Sequence, residues 1–369
     1  MPQPKINRTR LKTLVQEMVD IYSPSGKEEE ITEFLAGYLY EHDLPVTMRE
    51  VSDGRRNIEV VFSDTRPEVA FIGHIDTVPA FDIDRYEFRQ KGDRIYGLGT
   101  ADMKGGCAAM IEAFVAFIER GGNPERTGLF LVVGEEESGD GTAALLEARS
   151  FPWAIVAEPT ELIPCLAHYG YIEMLVRASG TRRHASLAGR PYNAIMAMLR
   201  MLLRLGGLME ADYPEAILNI RDIHSSESGF AVPGSCEASI DVHLPPATNA
   251  ERFARKLAAV ADDCLTGGSV TDYSVDFPVI ARGYRLKDAG LLPQILEAVY
   301  EHRELDWQPE AFKSHSDANL LREAGCKPII LGPGQLAMAH TRDESITFRD
   351  VAAAAGLYLD VLKALADDE

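Results

Sequence analysis

The sequence predicts an α/β fold: a mixed sheet sandwiched by helices, with a smaller α+β domain inserted into it. Three observations carry this expectation. Short continuous apolar runs at 69–72, 129–133 and 155–157 alternate with helical stripes, the pattern of parallel strands buried on both faces. Residues 171–178 and 235–244 instead alternate apolar and polar positions, as half-exposed antiparallel strands do. The chain has 369 residues, of which 46% are hydrophobic, which is enough for two cores.

The elements follow in order. Leu11, Leu14, Val15, Met18 and Val19 form a helical stripe within 8–22, broken by Ser23-Pro24-Ser25-Gly26. Ser25 with Glu28 three residues on reads as a capping box for a second helix at 26–42. Strands are expected near 46–51, 57–62 and 68–72, and a hairpin over 85–96 leads to Gly97-Leu98-Gly99. A helix follows Gly105-Gly106 through Met110, Phe114 and Phe117. In the second region, helices at 191–206 and 249–265 accompany the alternating strands. From about 285 the first pattern resumes, with helices at 287–302, 316–324 and 347–366 and strands near 307–311 and 328–331. The expected boundaries are 1–168 and 283–369 for the main domain and 169–282 for the insertion.

Composition narrows the chemistry. The net charge of −20 makes nucleic acid and anionic membranes poor partners, and would attract cations. No apolar stretch approaches the 18 or so residues of a membrane span. The polar, basic start of the chain does not read as a secretory signal. Five scattered cysteines, odd in number and without C-x-x-C spacing, point to a reducing, cytoplasmic setting and not to a disulfide framework.

One feature recurs at the ends of apolar runs. The run 69–72 delivers His74 and Asp76, two apart and therefore on the same side of an extended segment. The run 129–133 delivers Glu135, Glu136 and Glu137, and the run 155–157 delivers Glu158. Asp102 lies in the glycine-rich turn before a helix, and His340 follows the loop after 328–331. Singly, each has an ordinary reading: Asp102 as a helix cap, the glutamates as a solvated loop, His340 as a surface histidine. Together they gather carboxylates and imidazoles at the C-terminal edge of one sheet, where open α/β sheets bind ligands. Carboxylate and imidazole donors without cysteine suit zinc, cobalt or manganese.

The segments GHIDTVP, GLGTADMKGG, GEEESGDGT, AEPTE and GPGQLAMAHTRDES resemble, in order and over nearly the whole chain, the motifs of a known family. It is the family of di-zinc amidohydrolases and peptidases that includes acetylornithine deacetylase, succinyl-diaminopimelate desuccinylase, aminoacylase and the glutamate carboxypeptidases. The phrasing of several motifs is most similar to acetylornithine deacetylase. The resemblance implies a zinc-peptidase-like catalytic domain and a ferredoxin-like lid and dimerisation domain. It implies two zinc ions, with cobalt as a substitute: one held by His74 and Glu158, the other by Glu136 and His340, and Asp102 bridging them. Asp76 would orient His74 and Glu135 would be the general base. His184, in Gly180-Thr181-Arg182-Arg183-His184, would reach a partner subunit's site in a homodimer. It also implies a cis peptide at Asp102-Met103. The reaction implied is hydrolysis of an N-acyl amino acid, N-acetylornithine first, and with it a place in arginine biosynthesis.

The chain departs from the family at one point. Asp241-Val242-His243-Leu244-Pro245-Pro246 carries histidine where relatives carry the arginine that grips the substrate carboxylate. An imidazole lacks the bidentate fork of a guanidinium. Arg221, Arg282 and Lys313 are candidate substitutes, 313–318 is a candidate substrate-contacting segment, and Gly332-Pro333-Gly334 could offer backbone N–H groups.

Overall fold

In the computed structural model, residues 5–52, 54–63, 66–81, 85–189, 191–227 and 229–367 are described. The first four residues of the polar N-terminal stretch lie outside them. The chain divides into two compact units: Met1–Leu166 with Leu286–Phe312 and Ser316–Glu369, and Ala167–Arg285 with Lys313–His315.

The first unit is built on a mixed sheet. Its strands run in the order Val46–Ser52, Arg55–Val61, Thr127–Val132, Val69–His74, Trp153–Val156, Lys327–Ile330 and Cys165–His168, the last crossing into the second unit. The central four are parallel to one another, and the flanking strands are antiparallel. Thr127–Val132, Val69–His74 and Trp153–Val156 are buried throughout, as their unbroken apolar runs require. The register pairs His74 with Val132 and Ile72 with Val156, so the residues just past these strands emerge together at one edge.

Helices flank the sheet. Gly105–Ile118 is buried along almost its whole length and packs against Arg8–Asp20 and Phe348–Asp367. Its small first turn has a reason. A Cβ on Gly106 would come within 2.5 Å of the Ala157 carbonyl oxygen, so only glycine lets the helix meet the strand end there. Glu112, on this buried helix, is paired with Arg10 (Nε to Oε2 2.7 Å) and accepts from the Asn7 N–H (2.7 Å).

The capping box at the second helix is not formed. Glu29–Glu41 begins one turn later than expected, and Glu28 makes no capping hydrogen bond. Its carboxylate takes both forks of Arg55 (Nη2 to Oε1 2.7 Å, Nε to Oε2 3.0 Å), while the Ser25 hydroxyl donates to Asp76 Oδ2 (2.6 Å). A charged partner and a buried carboxylate outcompete a local cap.

The second unit has a four-stranded antiparallel sheet in the order Ile217–Ser225, Ser235–Leu244, Gly170–Ser179, Asp272–Ala281. With helices Ala194–Asp212 and Ala250–Leu265, this is the βαββαβ ferredoxin-like arrangement. Ile172, Met174, Val176, Ile240 and Val242 form its core with Met198, Leu205, Phe253 and Leu257. The strands Ile217–Ser225 and Asp272–Ala281 were not anticipated, because both are edge strands. Ile217–Ser225 exposes most of its length and shows no alternation; Asp272–Ala281 does alternate exposed with half-buried residues, but it carries Pro278, which reads against a strand. Among the described residues no helix is long and apolar enough to cross a membrane, and all five cysteines are free.

Candidate metal centre

The first unit gathers five of the expected side chains around one carboxylate. His74 ends its strand, Glu158 follows Trp153–Val156 by two residues, and Glu135 and Glu136 follow the turn at Gly134. Gly134 has φ +75°, and a Cβ there would collide with the Asp140 carboxylate and the Arg55 guanidinium. Asp102 comes from the turn that opens Gly105–Ile118. The Asp102-Met103 bond is cis, as the resemblance implied. His340 arrives from the loop after Lys327–Ile330 with φ +57°.

The distances define two donor sets sharing Asp102. Asp102 Oδ1 lies 3.2 Å from His74 Nε2, and Glu158 Oε1 lies 3.9 Å from the same nitrogen. Asp102 Oδ2 lies 3.4 Å from His340 Nε2, which is 3.0 Å from Glu136. Within each trio, His74–Asp102–Glu158 and Asp102–Glu136–His340, donor atoms lie within 4.8 Å of one another. Glu135 stands beside both sets, its Oε2 3.9 Å from His74 Nε2.

The electrostatics call for cations. Burial, and then the neighbouring Asp102, hold the Glu158 carboxyl well above its ordinary range; burial does the same to Glu135 and raises Glu136. Burial lowers the His74 imidazole, but the bond to Asp102 and the charges of Glu135, Glu158 and Asp76 overcome it and hold His74 well above its usual value. His340 is likewise pushed up to about 9: burial opposes the rise, and the Glu136 hydrogen bond drives it. Glu158 Oε1 is buried with no hydrogen-bond partner among the described residues. Four carboxylates and two imidazoles crowded this closely, one oxygen orphaned, fit a pair of divalent ions.

The Asp76 carboxylate does not hydrogen-bond His74, contrary to expectation. Its Oδ1 is 3.6 Å from His74 Nδ1, and the nearer acceptor is the Asp76 carbonyl oxygen at 3.1 Å. The carboxylate instead accepts from the backbone N–H groups of Glu135 (3.2 Å) and Glu136 (3.1 Å) and from Ser25. It fixes the paired glutamates by their main chain.

Some expected substrate contacts are otherwise engaged. The Gly332 N–H donates to Thr160 Oγ1 (3.2 Å). In the second unit, Arg221 pairs with Glu173 and Asp241, and Arg282 with Glu251. His243 sits in that unit beside Tyr171, ring centroids 5.2 Å apart, with burial pulling its pKa down. His184, also there, is exposed, and its Nδ1 accepts from the Ser186 N–H. Two buried acids escaped the sequence reading as individuals. Asp317, at the start of Ala318–Glu323, is pushed up to about 7 by burial. Glu344 closes on the backbone of the Asp102 turn. Its signal in the sequence was only a carboxylate four residues past His340.

Comparison with known proteins then decides the family. Residues 70–364 match Peptidase family M20/M25/M40. The chain belongs to this family. It is therefore a metal-dependent hydrolase of the peptidase and amidohydrolase type. A protein of Aspergillus niger named "Probable carboxypeptidase" is 30% identical over 383 residues, covering 95% of this chain and 88% of its own. Acetylornithine deacetylase of Vibrio campbellii is 27% identical over 341 residues, covering 86% of each. Among solved structures, a Staphylococcus aureus tripeptidase superposes with a TM-score of 0.82 at 20% identity, covering 98% of this chain and 100% of that one. A Bacillus subtilis protein described as a dinuclear metal-binding peptidase of the M20 family gives 0.68 at 13%, covering 98% and 99%. At these identities the structural likeness speaks for the fold.

Proposed function

We propose that this M20 hydrolase cleaves the amide bond of an N-acyl amino acid, with N-acetylornithine, giving ornithine and acetate, as the first substrate to test. The observation that carries this reading is the doubled donor set joined through Asp102, with Glu135 beside it. His74, Asp102 and Glu158 would hold one divalent ion, and Asp102, Glu136 and His340 the other, zinc being our first assignment. When bound, the ions supply Lewis acidity towards water and the amide carbonyl.

The chain's own residues do the proton work. Glu135 takes the proton of the attacking water, whose oxygen goes to the acyl carbon, and returns it to the nitrogen as the C–N bond breaks. A carboxyl held high by burial suits both halves of that task. Asp76 keeps Glu135 and Glu136 aimed by gripping their backbone N–H groups. His184 would act in trans, beside the site of a second copy. A homodimer is supported by the edge strand Ile217–Ser225, which leaves Ile217, Ile220 and Ile223 each more than 40% exposed. The free cysteines support a cytoplasmic location, and the net charge of −20 favours a cationic substrate side chain.

A carboxypeptidase-type reading, with a dipeptide as substrate, draws on the naming of the Aspergillus niger relative. Succinyl-diaminopimelate and other N-acyl amino acids are further members of the same class. A non-catalytic metal scaffold is the reading of a different class, and the intact donor set argues against it. The test is an amine-release screen over N-acyl amino acids and dipeptides, with zinc or cobalt added. Cleavage of N-acetylornithine ahead of dipeptides supports the first reading, and the reverse order supports the second. Metal uptake without amide cleavage would leave the scaffold reading.

A further inference from the structure

We infer that Glu344 is a positioning residue whose carboxylate clamps the turn carrying the bridging Asp102 and ties it to the segment carrying His340; this rests on the proposed two-ion site. The main chain from Gly99 to Asp102 leaves three N–H groups facing inward, away from water. One side chain takes all three. Glu344 Oε2 accepts from Gly99 (2.9 Å), and Oε1 accepts from Ala101 (2.8 Å) and Asp102 (3.1 Å). Glu344 is 3% exposed, so these donors have no recourse to water if it is removed.

The clamp is itself held on both sides. The Glu344 carbonyl accepts from the Gly97 N–H (3.2 Å), and its own N–H donates to the Thr341 carbonyl (3.2 Å). The next residues, Ser345–Thr347, pair antiparallel with Arg94–Tyr96. The far end of the turn has a second anchor of opposite polarity. Lys104 Nζ, fully buried, donates to the carbonyls of Met18 (2.9 Å) and Ile21 (2.8 Å) at the end of Arg8–Asp20. The turn is thus gripped through its N–H groups at one end and through a lysine side chain at the other.

Glu344 belongs to neither donor set, and its carboxylate is taken up by three backbone N–H groups. It acts through Asp102. Because Glu344 follows His340 by four residues, one short segment supplies an imidazole to one donor set and fixes the carboxylate common to both. The 3.4 Å separation of Asp102 Oδ2 and His340 Nε2 is set by this arrangement. A residue that orients a ligand in this way typically governs metal affinity by 10–100-fold or so.

The test uses Glu344→Gln, Glu344→Asp and Glu344→Ala in the full chain. In metal-free protein, hydrogen exchange of the amides at 99–102 should accelerate roughly tenfold or more in Glu344→Ala, with Val69–His74 and Thr127–Val132 unchanged. Glu344→Gln should give a smaller acceleration, because its NH2 group confronts one of the donors that the carboxylate accepted. Zinc titrated against a chelator should bind Glu344→Ala roughly tenfold or more weakly, with the variants ranked as in exchange. In the active enzyme kcat should fall with KM little changed. Should Glu344→Ala not fold, the glutamine and aspartate variants carry the same comparison. Unchanged exchange at 99–102, or unchanged zinc affinity in a variant whose turn has loosened, overturns the proposal. Exchange and zinc affinity shifted as stated, in a protein that cleaves no amide, would remove the proposed reaction and leave the clamp standing.

Discussion

Replacing Arg55 by methionine separates the folding of this chain from the placing of its glutamates. Arg55 sits between two acids: both oxygens of Glu28, at 2.7 and 3.0 Å, and the Asp140 carboxylate, with Nη2 3.2 Å from Oδ1. The Glu28 side chain is 0% exposed, so Arg55→Met strands a charge that has no access to water. Breaking a buried pair from one side costs about 3–5 kcal/mol. Asp140 loses the same partner but is one-third exposed and heads a helix, so its share is small. Replacing both, as Arg55→Met with Glu28→Leu, removes the stranded charge and should return the protein to within about 2 kcal/mol of wild type.

Activity should not return with it. Arg55 and Asp140 flank Gly134, the residue before Glu135, closely enough that a Cβ there would collide with both. Without the guanidinium the glutamate loop loses part of that wall, and kcat/KM should stay roughly tenfold or more below wild type. Urea denaturation gives the stabilities of the two single variants and the double, and steady-state turnover gives the activities. A single variant costing less than about 1 kcal/mol would refute the buried-pair argument. A double variant as active as wild type would refute the link from Arg55 to the loop.

Other outcomes follow from the same geometry. Glu135→Gln should lose roughly 10²–10⁴-fold in turnover while binding metal normally, and substantial residual activity would remove it as the proton carrier. Asp76→Asn replaces an acceptor for two backbone N–H groups with a half-donor. It should lower kcat and weaken metal binding by roughly tenfold, seen by turnover and by chelator competition. His168 is fully buried, and burial pulls its imidazole from 6.5 down to about 3, although the bond to the Tyr169 carbonyl works the other way. The unfolded chain therefore takes up this proton first. The contribution of His168 is complete above the unfolded pKa and is lost as the pH falls from 6.5 towards 3. The loss amounts to something on the order of 4 kcal/mol. His168→Asn should flatten the acid limb of the stability curve, and equal acid losses in both proteins would exclude His168 as its cause.

The residues that announced the site did so because strands end in fixed places. An apolar run such as 129–133 stops where the sheet stops, and whatever polar residue comes next stands at the edge. Local pattern therefore marked His74, Glu135, Glu136 and Glu158, together with Asp102 in its glycine-rich turn and His340 after 328–331, and the family resemblance assigned each its role. Periodicity likewise fixed most helices and the buried strands, since burial on one face or two leaves a period in the sequence. It failed at the edge strand Ile217–Ser225, where exposure erases that period, and at Asp272–Ala281, where the alternation is present but Pro278 reads against a strand.

What the tertiary structure alone decided is the partner each buried polar group takes. Ser25 and Glu28 had the spacing of a local cap, yet Ser25 turned to Asp76 and Glu28 to Arg55. Asp76 took the backbone of the glutamates, and Glu344 took three N–H groups 242 to 245 residues away in the chain. A carboxylate can accept from any donor that packing brings within reach, so its sequence neighbours do not fix its partner. The choice is made by the cost of leaving a buried donor unmatched, and that cost exists only once the chain has closed around it.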